Sequence, residues 1–97
     1  MTAVPAVTHN SASSRFEIQT DAGLALLAYR ADGTTLDLVH TEVPKHLEGG
    51  GYGSALVVAA LGYARLNNLK IIPTCPFVAA FMLRHREYDD LRAASAP

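Results

Sequence analysis

The sequence predicts an α/β fold, a mixed sheet of three antiparallel strands plus one parallel strand, with two helices. Three observations carry that expectation. From Phe16 onward apolar and polar residues alternate, the period-two signal of half-buried strands. Four of the chain's seven glycines then cluster just before a helix-length run of Ala, Leu and Val that is apolar nearly all round. Finally, a short apolar strand leads to Pro76, a proline at the favoured first position of a second helix.

Ninety-seven residues hold one domain, which excludes barrels of ordinary enzyme size and two-lobed dinucleotide folds. The hydrophobic share is 49%, but sixteen of those residues are alanines, so the core should be thin. Eight basic residues against nine acidic give a net charge of −1, too even for a protein that binds by neutralising phosphate backbones. No nucleic-acid partner is expected. The longest mostly apolar stretch, Ala55 to Ala64, is too short to cross a bilayer, so no membrane role is expected either. A single cysteine forms no internal disulfide, and without a secretory-type leader it points to a reducing, cytoplasmic setting.

Residues 1–14 are small and polar with no repeating apolar face, and are expected to be a disordered leader. The domain is expected over 15–91, with a flexible tail at 92–97. Phe16 and Ile18 alternate with Glu17 and Gln19 in the first strand. Asp21-Ala22-Gly23 turns the chain into a second strand, where Leu24, Leu26 and Ala28 alternate through Leu27 and Tyr29. Asp32-Gly33 is a hairpin signal, and Thr34 to Val43 reads as a third strand placing Leu36, Leu38, His40 and Glu42 on one face. Pro44 ends it, because proline cannot donate to the ladder. Tyr52 to Asn67 forms the apolar helix, stopped by Asn67-Asn68. Leu69 to Pro73 returns as a strand parallel to the third, and Pro76 to His85 is the last helix, with Phe77 and Phe81 one turn apart as core packing.

A strand, then Glu48-Gly49-Gly50-Gly51-Tyr52-Gly53-Ser54, then a helix presents unpaired N–H groups and the positive end of a helix dipole to an anion. The plainer alternative is a flexible connection. A nucleoside-triphosphate loop needs Lys before the Ser or Thr at the helix entry, and Ser54 follows Gly53 instead. The dinucleotide fingerprint also fails: its third glycine position is Ser54, and no acidic residue follows until Glu87. A different diphosphate ligand is needed.

At these residues the sequence resembles the GNAT superfamily of acetyl-coenzyme A-dependent N-acetyltransferases, and particularly its short stand-alone branch. The superfamily loop runs Arg or Gln, two residues, Gly, one residue, Gly or Ala. Glu48 to Gly53 matches both glycines, with Glu48 where the basic or amide residue usually stands. The short branch looks similar over about 80 residues, including His40-Thr41-Glu42-Val43-Pro44, Pro73-Thr74-Cys75-Pro76-Phe77 and Arg84-His85-Arg86-Glu87-Tyr88. The resemblance implies a minimal GNAT-like fold. It further implies that N–H groups from Gly49, Gly50, Gly51, Tyr52, Gly53 and Ser54 hold the coenzyme A pyrophosphate, while the strand around Val43 bonds the pantetheine arm. A carboxylate facing a diphosphate would repel it, so Glu48 is expected to point away.

His40 and Glu42 lie two apart on a strand and share a face, and either could deprotonate an attacking amine. In the larger superfamily a strand-borne glutamate often plays this part, which favours Glu42. A solvated polar pair at a strand end is the alternative. Cys75 falls at or beside the N-cap of the last helix, where the dipole favours a thiolate. It could carry the acyl group as a thioester, line the thioester pocket, or be an inert core residue. His46 could contact phosphate or be solvated. Arg84, His85 and Arg86 either cap the last helix or reach the coenzyme's 3′-phosphate, and Tyr88 resembles a tyrosine that protonates the departing thiolate.

The expected activity is transfer of an acetyl or short acyl group from acetyl-CoA to an amine. The alternatives are a non-catalytic acyl-CoA-binding or sensing module and a single-thiol redox protein based on Cys75. The implied partners are a small-molecule acyl-CoA and an unidentified amine acceptor. No metal site is expected, and oligomerisation is left open. Only Asp21-Ala22-Gly23 stands between the first two strands, where larger relatives place the helices that help to bind the acceptor.

Overall fold

The computed structural model describes residues 6–94. Five strands form one sheet in the order β1-β2-β3-β4-β5: β1 (Thr8–Asn10), β2 (Arg15–Thr20), β3 (Gly23–Asp32), β4 (Thr35–Glu42) and β5 (Lys70–Ile72). The first four pair antiparallel, and β5 lies parallel to β4. Helix α1 (Tyr52–Leu66) makes the crossover between β4 and β5, and α2 (Pro76–Arg84) follows β5. No helix among the described residues is long and apolar enough to cross a membrane.

The turns form where the chain supplies the chemistry for them. Gly33 takes a φ of +60° between β3 and β4, and the Thr35 hydroxyl donates to the Asp32 carbonyl at 2.9 Å. Between β2 and β3, the Thr20 hydroxyl donates to the Gly23 carbonyl at 2.6 Å and accepts from the Ala22 N–H.

One face of the sheet carries the core. Phe16, Ile18, Ala25, Leu27, Leu36 and Leu38 are buried there beneath Leu56, Val57, Ala60, Leu61 and Ala64 of α1 and Val78, Phe81 and Met82 of α2. On β3 the buried set is Ala25, Leu27 and Tyr29, while Leu24, Leu26 and Ala28 occupy the opposite, more open face. Ala25, Ala60 and Ala64 are fully buried, so part of the alanine content fills the contact between α1 and the sheet. Burying each Leu or Ile contributes about 1.5–3 kcal/mol, and Ile18, Leu27, Leu36, Leu38, Leu56, Leu61 and Ile71 all reach that limit.

The chain ends depart from expectation. The disorder expected over 1–14 does not extend to residues 8–14: Thr8, His9 and Asn10 pair with Glu17, Phe16 and Arg15, and a short 3-10 turn at Ser11–Ser13 returns the chain. His9 secures this strand. Its ring stacks on Phe16 at 4.3 Å, meets Tyr63 of α1 edge-on at 4.5 Å and bonds the Tyr29 hydroxyl at 2.6 Å. The flexible tail expected at 92–97 is likewise held at its start, where Ala93 N–H donates to the Ile71 carbonyl at 2.8 Å. Residues 1–5 and 95–97 of those two segments lie outside the described residues.

Two irregularities of β4 position the site. The pairing partners step from Tyr29↔Leu38 to Ala28↔His40, so Val39 is an extra residue, a β-bulge. An extra residue reverses the alternation beyond it. Leu36 and Leu38 face the core, but His40 and Glu42 emerge on the open face and Thr41 turns inward. The single face expected for Leu36, Leu38, His40 and Glu42 is thereby corrected. Next, β5 pairs only with Thr35, Leu36 and Asp37, and the last bond between these segments runs from Cys75 N–H to the Leu38 carbonyl at 2.8 Å. From there β4 continues to Glu42 while the segment after β5 turns away into α2, and the two diverge.

Candidate functional site

Beyond the point of divergence lies a cavity of about 470 Å³. Thr41 and Val43 at the end of β4 line it, together with Leu47, Glu48 and Gly49 of the loop, Gly51 to Ser54 at the entry of α1, and Phe77 of α2.

The glycine loop has the backbone that its composition allows. After Pro44, a 3-10 turn spans Lys45–Leu47. Gly49 (φ +86°) and Gly51 (φ +91°) are both left-handed, a region that costs residues bearing a Cβ. Gly51 is the N-cap of α1, and no side chain caps that end. The first N–H groups of a helix have no partner within the helix, so the α1 entry offers uncapped donors and its dipole to the cavity. Gly50 behaves differently: its N–H donates to the Leu47 carbonyl at 3.1 Å, and it does not line the cavity. Six of the seven residues expected to hold coenzyme, Val43, Gly49, Gly51, Tyr52, Gly53 and Ser54, do line it.

Glu48, an exposed residue, is among those bordering the cavity, and it is the one Asp, Glu, Lys, Arg or His in that lining. Lys45 and His46 in the adjoining turn are exposed and outside the lining. An anion in this cavity would therefore depend on backbone N–H groups and the helix dipole, with no cation among the lining side chains.

Phe77, expected in the core, is 40% exposed and forms the wall. Its ring lies over Gly53 so tightly that a Cβ on that glycine would meet the ring at 2.8 Å. Cys75, the N-cap of α2, sits beside this wall and is 5% exposed. Its Sγ is 3.4 Å from the Thr41 hydroxyl. Burial is the largest influence on this thiol and raises its pKa. The Thr41 hydroxyl and the N–H groups of Val78, Phe77 and Thr41 act the other way, and together they bring the thiol below its ordinary value.

His40 and Glu42 are not brought to the cavity. Their side chains are 59% and 63% exposed and pair with each other at 2.9 Å on the open face of the sheet. The cluster after α2 is engaged elsewhere: His85 stacks on Phe81 at 4.1 Å, Arg86 pairs with Asp89 at 2.7 Å, and Tyr88 lies beneath Arg65 at 5.9 Å. Among the described residues no cluster of His, Cys, Asp or Glu has the makings of a metal site.

Thr41 and Leu47 line the cavity without a local sequence signal that marks them. Thr41 carried a signal only in hindsight of the bulge, since strict alternation turns it away from Leu38. For Phe77 the signal was Gly53, a glycine inside a helix where nothing in the backbone requires one.

A sequence model described as GCN5-related N-acetyl-transferase matches residues 15–91. The solution structure of a GCN5-like protein from Staphylococcus aureus superposes with a TM-score of 0.74 at 30% sequence identity, covering 98% of this chain and 94% of that one.

Proposed function

This chain belongs to the GCN5-related N-acetyltransferase family, and on that premise we propose that it moves an acetyl group from acetyl-CoA to an amine, with the cavity between β4 and α1 holding the coenzyme. The observation that carries the reading is the uncapped α1 entry on two left-handed glycines, opening into a cavity whose far wall, Thr41 and Phe77, flanks a buried thiol. The N–H groups of Gly49 and of Gly51 to Ser54 are suited to the diphosphate, and the unpaired edge of β4 toward Val43 to the pantetheine amides.

In this reading Cys75 carries the acetyl group. Its thiolate attacks the thioester carbonyl. A new S–C bond forms, the old one breaks, and coenzyme A leaves as a thiolate that takes a proton from water. A neutral amine then attacks the acetyl-cysteine. The N–C bond forms, Cys75 departs as thiolate, and the proton released from nitrogen passes to solvent. The donors that lower the thiol pKa serve both halves, because the thiolate is first the nucleophile and then the leaving group. The His40–Glu42 pair on the far side of β4 takes no step in this route.

Mass spectrometry of the protein incubated with acetyl-CoA and no acceptor should find one acetyl group, on Cys75. Cys75→Ala should bind coenzyme, seen as thermal stabilisation, yet lose transfer. Transfer at the parental rate by Cys75→Ala would remove the covalent route. Absence of stabilisation by coenzyme A at high concentration would remove the binding site as well.

A further inference from the structure

We infer that Thr41 is the positioning residue of the thiol, its hydroxyl holding Cys75 Sγ at the end of the coenzyme cavity; this rests on the reading of Cys75 as the group that meets the thioester. Three linked features of the fold lead to it. The bulge at Val39 turns Thr41 inward, opposite Leu27, where regular alternation would have turned it to the open face. The pair Thr41 Oγ1 and Cys75 Sγ then spans, at 3.4 Å, the gap where β4 and the segment after β5 diverge. Thr41 also lines the cavity, so the residue paired with the sulfur borders the space proposed for the coenzyme.

The hydroxyl is matched to a thiolate. With the thiol either atom of the 3.4 Å pair can donate, but a thiolate only accepts, so toward it the hydroxyl is the donor, beside N–H groups from Thr41 on β4 and from Phe77 and Val78 on α2. The other ionisable groups nearby act less directly. Glu48 and Tyr52 line the cavity from the loop and α1, and His40 and Glu42 lie across β4 on its open face. Among the described residues Thr41 Oγ1 is the one side-chain polar atom within hydrogen-bond distance of the sulfur.

The test compares Thr41→Val, which keeps the shape and removes the hydroxyl, with Thr41→Ser, which keeps the hydroxyl. The readout is the pH titration of the Cys75 thiolate by its ultraviolet absorbance, with Cys75→Ala as the blank and no acyl donor present. Loss of the bond should raise the titration midpoint by about one pH unit, a tenfold smaller thiolate fraction at neutral pH, with Thr41→Ser staying close to the parent. Acetyl transfer should follow, with kcat falling about tenfold in Thr41→Val and KM for acetyl-CoA changing less than about twofold. Should Thr41→Val fail to fold, Thr41→Ala offers the same comparison with Thr41→Ser. Equal midpoints for the parent and the hydroxyl-free variant would overturn the inference, as would equal displacement of the Ser and Val variants. Because the titration needs no coenzyme, it stands or falls separately from the acyl-transfer reading, which the Cys75→Ala rate decides.

Discussion

Gly53 of α1 lies against the ring of Phe77 of α2 with no room for a side chain: a methyl group there would come within 2.8 Å of Cζ and 3.0 Å of Cε2. The contact brings the start of one helix up to the start of the next, with the cavity wall formed at their junction. Alanine is the better helix former by about 1 kcal/mol, so Gly53→Ala alone should leave the melting temperature little changed, the helical gain offset by displacement of the ring. The displaced ring has the cavity to move into. Coenzyme A affinity should therefore fall about tenfold, and the loss should shrink in the double variant Gly53→Ala/Phe77→Leu. Calorimetric titration of the four proteins checks the coupling; independent, additive losses would show that the ring does not respond to residue 53.

Gly51 offers the opposite case. It caps α1 at φ +91°, where an L side chain is strained by about 1–2 kcal/mol. Gly51→Ala should lower the melting temperature by roughly 4–8 °C per kcal/mol in a domain of this size, and should weaken coenzyme binding by shifting the N–H groups it orients. A melting temperature equal to the parent's would mean that the loop relaxes without cost.

Glu48, the acidic residue of the cavity lining, makes a third case. Glu48 is the charged member of a lining that would otherwise be favourable to an anion. Glu48→Gln should tighten coenzyme A binding about threefold to tenfold at low salt, the scale of one exposed charge near a diphosphate. The advantage should narrow as ionic strength rises, since the repulsion is screened over about a Debye length. Equal affinities at low salt would show that the diphosphate sits away from residue 48.

These cases mark what was legible in the sequence. Alternation, turn dipeptides and Pro76 gave β2 to β5 and both helices, because each signal is local. The glycine loop was legible for the same reason. What escaped was non-local. The strand Thr8–Asn10 has no apolar alternation, and His9 holds it by lodging between Phe16 of the neighbouring strand and Tyr63, far along the chain. The bulge at Val39 is defined by pairing with Ala28 and Tyr29, and nothing within Thr35–Glu42 announces it. One extra residue was enough to exchange the candidate base residues His40 and Glu42 for Thr41 at the thiol.

The same distance effect ties the C-terminal segment to α1. Arg65 of α1 binds both carboxylate oxygens of Asp90, at 2.7 and 3.1 Å. The hydrogen bond from Arg65 is the largest influence on Asp90 and holds its pKa below the ordinary 3.8. A carboxylate whose folded pKa is depressed stabilises the protein above its unfolded pKa, and that contribution is lost as pH falls through the folded value. Asp90→Asn should therefore melt slightly below the parent at neutral pH, by a small margin because both side chains are about half exposed. The two melting curves should converge as the pH drops below the usual aspartate range and the parent's carboxylate is protonated. A gap that stays constant down to about pH 2 would mean that Asp90 contributes through its neutral hydrogen bonds alone, and the ion pair between α1 and the C-terminal turn would then carry none of the stability.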